Sequence, residues 1–196
     1  VTIQSIRLIL VSTVLIIFAA LSGCIERKAE QQSKQESPVS AELTSMLAEH
    51  QQMRQWGTIP AELINEADLR HRQSVYQLMA QSLIVEPGDL FKAAILLQDS
   101  GSSGCSENSM LAYYCALESA RKGHEEARRL SAECLDMYLI ASGLPQKYGT
   151  QMFLDVTGKY LLYPLDSSTT DADRASWNLP PLDSLKSLAV NKFKRS

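Results

Sequence analysis

Residues 107–143 read ENSMLAYYCALESARKGHEEARRLSAECLDMYLIASG. Small side chains recur at Ala112, Cys115, Ala116, Ser119 and Ala120, the three-and-four spacing of one helix face. Beyond Gly123-His124 a second stripe follows at Ala127, Ser131, Cys134 and Leu135. Small groups on both partners let two antiparallel helices approach closely, so this stretch predicts a helical hairpin turning at Gly123-His124. Gly143 suits a left-handed C-cap, Leu144 the contact that accompanies it, and Pro145 blocks continuation. The hairpin sets the fold class as mainly α: a compact helical domain.

Upstream, Ser40 is a candidate N-cap for a helix carrying Leu43, Met46, Leu47, His50 and Met53, ended by Trp56-Gly57. A second helical stretch starts near Pro60, with Asp68 a good cap for a restart. Pro87-Gly88-Asp89 reads as a break. Leu90 to Leu97 is apolar nearly all round and predicts a buried helix. Downstream the period changes. Met152 to Val156 and Lys159 to Leu165, joined at Thr157-Gly158, predict a small β-hairpin near the C-terminus. Asp171 and Asp183 are expected to cap two further short helices, the last carrying Leu185, Leu188 and Phe193 inward.

Farther out lies the N-terminus. The run from Leu8 to Leu21 is apolar except for Ser12 and Thr13, and Arg7 precedes it. At about 14 residues it is short for a span, which takes about 20, and it fits the apolar region of a signal peptide. It ends in Leu21-Ser22-Gly23-Cys24, which resembles the lipobox of bacterial lipoproteins. That resemblance implies a signal peptide over 1–23 and lipidation of Cys24. The thiol takes diacylglycerol, and a further chain such as palmitate brings the anchor to three. Ile25 follows the cysteine instead of the Asp that typifies inner-membrane retention. Where the cell has an outer membrane, the expected place is therefore that membrane, facing the periplasm of the cell envelope. Val1 is expected to reflect an alternative start codon. Residues 24–38 then form a polar, Gln-rich tether. It reaches at most roughly 50 Å when extended, with a mean span of roughly 20 Å. The domain occupies 39–196.

Composition excludes more than it assigns. The chain of 196 residues carries 19 basic and 22 acidic residues, 45 % hydrophobic. That balance gives no basic footprint for nucleic acid. The expected partners are the membrane, through the lipid, and an envelope protein or peptide; the oligomeric state is left open.

Two resemblances involve the domain. The segment ALESARKGHEEARRL, residues 116–130, is similar to one unit of the Sel1-type helical repeats, but no second copy occurs at a fixed period, which argues against a solenoid. From Asp68 to Pro181 the chain resembles a bacterial domain family of unknown function. The residues that carry it are Asp68-Leu69-Arg70, Pro87 and Asp89 with Ala93-Ala94 and Gln98, the Ala/Gly-His hairpin, Leu135-Asp136, and Gly143 with Pro145-Gln146-Lys147-Tyr148-Gly149-Thr150-Gln151. In that family His often follows the position of Gln98 and Arg that of Asp136; here Asp99 and Met137 stand there.

The candidate ligand-binding residues are Asp68, Arg70, Gln98, His124, Asp136, Gln146, Tyr148 and Gln151. Gln146, Tyr148, Thr150 and Gln151 either satisfy backbone groups freed at a helix end or line a pocket for a polar ligand. Their groups donate and accept but do not readily ionise near pH 7, which suits binding better than acid-base work. Asp68 as an N-cap with Arg70 paired to a buried acid such as Asp136 is the scaffold reading. A hydrolase or transferase site built from Arg70, His124, Asp136 and Gln151 is the alternative. No nucleophile elbow, zincin pair or phosphate loop is present, and three histidines apart in sequence give no metal spacing, so no metal and no cofactor is expected. An exported domain permits a disulfide. Cys115 and Cys134 stand at similar height on facing helices, either bridged, which leaves Cys105 free, or buried as two thiols.

Overall fold

The computed structural model describes residues 36–55, 59–98 and 106–184. The chain divides into two units, Val1–Pro38 and Val39–Ser196, and the second carries the described elements. The expected signal peptide, Cys24 and most of the expected tether lie outside the described residues, as do Trp56-Gly57, Cys105 and the residues after 184.

Five helices of substantial length follow in order: α1 (Pro38–Gln55), α2 (Ala61–Ala80), α3 (Pro87–Gln98), α4 (Ser106–Arg121) and α5 (Glu126–Ala141). Strands β1 (Met152–Leu154) and β2 (Tyr160–Leu162) and the short helix α6 (Asp171–Ser176) follow among the described residues. The domain is mainly α, with one two-stranded antiparallel sheet near the C-terminus, Met152 facing Leu162 and Leu154 facing Tyr160. None of the described helices is long and apolar enough to cross a membrane.

The α4–α5 hairpin forms as its small residues predict. Ala112, Cys115, Ala116 and Ser119 are buried on one helix, and Ala127, Ser131 and Cys134 on the other. Gly143 sits at φ 74°. Its N–H donates to Ile140 O and that of Leu144 to Leu139 O, the paired bonds that end a helix on a left-handed residue. Helix α3 packs against α4 and also meets α2 and α5. Its Leu90, Ala93, Ala94, Leu96 and Leu97 form the centre of the core, joined by Leu43 from α1 and Val75 and Leu78 from α2.

Several expected helix ends move. Pro87 opens α3 instead of breaking the chain: a first-turn residue needs no N–H partner, so proline is at home there. Ser40 lies inside α1 and accepts Lys92 Nζ at 2.8 Å through its hydroxyl oxygen. Asp68 caps nothing, because α2 runs unbroken from Ala61, and residues 61–80 hold no Gly or Pro to interrupt it. Thr170, not Asp171, caps α6, in a reciprocal box with Asp173, while Asp171 accepts the Leu182 N–H at 2.8 Å. The expected last helix from Asp183 falls almost wholly outside the described residues.

Cys115 and Cys134 are both buried free thiols, so the bridged alternative is not formed. Cys134 Sγ turns to α3 and donates to Gln98 Oε1 at 3.4 Å. Burial pushes the Cys115 thiol up to about 11, which suppresses the reactive thiolate.

Candidate functional site

The segment 146–151 is built around two fully buried polar side chains, Asp136 and Gln146. Asp136 projects from α5. One carboxylate oxygen accepts the N–H groups of Lys147 and Tyr148, at 2.6 and 2.8 Å. The other accepts the N–H and hydroxyl of Thr150, at 2.9 and 2.8 Å. A carboxylate has about four acceptor sites, and this one has four donors. Gln146 completes the loop from within: Oε1 accepts the Gln151 N–H at 2.9 Å, and Nε2 donates to the carbonyls of Gln151 and Tyr163 at 3.1 and 2.9 Å. Its backbone meets the far side of the β-hairpin through Gln146 N–H to Pro164 O and Asp166 N–H to Gln146 O, both 2.9 Å.

Arg174 on α6 closes the loop from outside. It is buried, donates from Nε to Pro180 O at 2.9 Å, and donates to Tyr148 O through a terminal nitrogen. Gly149 has φ 69°, and a Cβ there would lie 3.1 Å from Leu182 and 3.3 Å from both Arg174 and Leu165. Glycine is favoured here by the left-handed backbone conformation, and a side chain would also press on these three neighbours. Tyr148 stands against Trp177, ring centroids 5.5 Å apart, and burial raises its phenol. Gln151 donates to Thr150 Oγ1 at 3.1 Å.

An open, largely apolar groove of about 610 Å³ adjoins this loop, lined by Leu135, Leu139, Leu144, Pro145 and Leu165 with Lys147 and Asp166. Lys147 Nζ lies 3.0 Å from Asp166 Oδ2. Hydrogen bonds from the Ser168 N–H, then from Lys147 and the Ser168 hydroxyl, hold the Asp166 carboxyl at about 2. The groove thus combines an apolar wall with one fixed ion pair.

A second cluster joins α1 to α2. His50, Asp68 and His71 are 3, 2 and 2 % exposed, and one ligand atom from each lies within 4.8 Å of the others. Glu49 receives His71 Nε2 at 3.0 Å and Arg70 at 3.1 Å. Those two hydrogen bonds, His71 first, hold its carboxyl below the usual carboxylate range. An ionised carboxylate only accepts, so His71 Nε2 carries a hydrogen, and in the neutral form of the ring Nδ1 then bears the lone pair. That Nδ1 is buried with no hydrogen-bond partner. Arg54 donates to Asp68 Oδ2 at 2.8 Å and lies 3.0 Å from His50 Nδ1. A guanidinium only donates, so His50 Nδ1 is likewise an acceptor. It stands 3.3 Å from Asp68 Oδ1, a buried oxygen that receives no hydrogen bond.

The expected residues are thus distributed over separate networks. Asp136, Gln146, Tyr148 and Gln151 share the loop. Arg70 pairs with Glu49 and not with Asp136, whose acceptor sites the loop fills. His124 stacks on Phe91, centroids 4.3 Å apart, with Glu126 3.3 Å from its Nδ1. Gln98 holds the Cys134 thiol. Sequence reasoning missed Arg174 and the meeting of His50 with Asp68 and His71. The one available signal was Asp68 and His71 three apart on a helix face. No protein family, curated protein or solved structure matches this chain.

Proposed function

We propose that the chain is a membrane-anchored lipoprotein of the bacterial cell envelope, and that its helical domain is a binding module for an envelope protein or peptide. The observation that carries this reading is Leu21-Ser22-Gly23-Cys24 at the end of the apolar run from Leu8. Small residues leave the backbone open to a peptidase, and the thiol is the nucleophile that accepts a diacylglyceryl group. Three acyl chains hold far more firmly than one, whose binding is marginal and reversible. The polar tether then lets the domain work close to the bilayer without lying on it.

The groove beside Pro145 supports the binding half. Its leucines offer apolar contact, and the Lys147–Asp166 pair at 3.0 Å offers a polar register point. A peptide with an apolar anchor and a polar backbone fits that combination.

Labelled palmitate fed to cells that process lipoproteins should enter the full chain and should not enter Cys24→Ala, which should accumulate at precursor length. Equal labelling of both would remove the anchor from the account. A photo-crosslinking residue in place of Leu144, 52 % exposed at the groove, should trap a discrete envelope polypeptide in intact cells. The same residue at Leu63, 52 % exposed elsewhere, should not. Identical adducts from both positions would remove the groove as the binding surface.

A further inference from the structure

We propose that His50, Asp68 and His71 form a binding site for a divalent transition-metal ion of the zinc class, with Glu49 as the outer carboxylate and Arg54 as a competing cation. His50, Asp68 and His71 bring buried acceptor atoms within 4.8 Å of one another, and Arg54 is the donor that reaches His50 and Asp68. Two of them, Asp68 Oδ1 and His71 Nδ1, are buried and receive no hydrogen bond, a costly state unless something positive stands between them. His50 Nδ1 and Asp68 Oδ1 are 3.3 Å apart. Two ligands on one tetrahedral ion, each at about 2.0–2.1 Å, lie about 3.3–3.4 Å from each other. That pair is already at the spacing a tetrahedral ion requires, and a ligand atom of His71 lies within 4.8 Å of one on each of the other two residues.

The ligand chemistry is consistent with this. Two neutral imidazoles and one carboxylate suit zinc and its neighbours better than calcium or magnesium, which take oxygen. Metal-binding histidines commonly donate the remaining ring N–H to a carboxylate, which fixes the tautomer, and His71 does so to Glu49 at 3.0 Å. Three protein ligands leave a fourth position for water or a substrate oxygen.

Arg54 occupies the positive role in the described structure. It reaches Asp68 Oδ2 and the His50 ring from a side chain 31 % exposed. An entering ion takes the His50 lone pair from it, and the guanidinium has solvent into which to swing.

The test uses the full chain, stripped by a chelator and titrated with Zn²⁺ alone against a chromophoric competitor, with unfolding midpoints recorded in parallel. One equivalent should bind and raise the midpoint. Asp68→Asn and His71→Gln should abolish that binding. Glu49→Ala should weaken it by about 10- to 100-fold, and Arg54→Ala should tighten it by removing the competing cation. Should Asp68→Asn or His71→Gln fail to fold, the Glu49 and Arg54 variants decide, since both side chains are partly exposed. No saturable binding, or binding unchanged by Glu49→Ala and Arg54→Ala, overturns the proposal.

Discussion

Replacing Asp136 by asparagine should lower the unfolding midpoint of the domain by about 6–12 °C, taking a cost of about 3 kcal/mol for breaking a buried charge-assisted network and roughly 2–4 °C per kcal/mol at this size. The carboxylate accepts four donors from Lys147, Tyr148 and Thr150. An asparagine keeps one acceptor oxygen and turns an NH2 toward the donors on the other side. A hydroxyl can rotate away; a backbone N–H cannot, so at least one is left buried and unpaired. Scanning calorimetry measures the midpoint. An unchanged value would mean that the loop holds its shape without the carboxylate.

Gln146→Ala should cost a similar amount, about 3 kcal/mol, since each buried group left without its partner costs about 1–3 kcal/mol. The side chain is fully buried and serves the Gln151 N–H and the carbonyls of Gln151 and Tyr163. Its removal also opens a void between the loop and the β-hairpin. Hydrogen exchange should localise the damage: amides of 147–151 and 163–166 lose protection first, while those of α3 and α4 keep theirs. Asp136 and Gln146 fix the same six-residue loop, so the double variant should be less destabilised than the sum of the singles. Uniform loss of protection across the helices, or strict additivity, would contradict the idea of one shared local lock.

The two variants probe the part of the protein that was hardest to read from sequence. The density of polar groups in PQKYGTQ was visible, but the structural use of those groups was not. Gln146 acts through residues 163–166, and Asp136 through a loop 11 to 14 positions away. Neither separation leaves a periodic trace. The helical hairpin was legible because its determinants are local: small residues at helical spacing, and a glycine where the chain must turn left-handed. The β-hairpin was legible for the same reason, with Gly158 at φ 79° in its turn.

The metal-type cluster illustrates the opposite case. Asp68 and His71 stand three apart on α2, yet their meaning depends on His50, which reaches them only when α1 packs alongside. Asp68 looked like a cap because aspartate favours that position. The uninterrupted propensity of residues 61–80 outweighed that preference and carried the carboxylate into the middle of a helix. Arg70 followed the same turn and met Glu49 on the surface, far in sequence from any buried acid of α5.

Mass spectrometry of the N-terminal peptide, from protein made in a lipoprotein-processing bacterium, is the decisive check on the proposal that a lipid at Cys24 holds this domain at a membrane. The expected peptide begins at Cys24 and carries diacylglycerol on its thiol and a fatty acyl group on its amine, with residues 1–23 absent. A peptide running unbroken through Ser22, Gly23 and an unmodified Cys24 would contradict it.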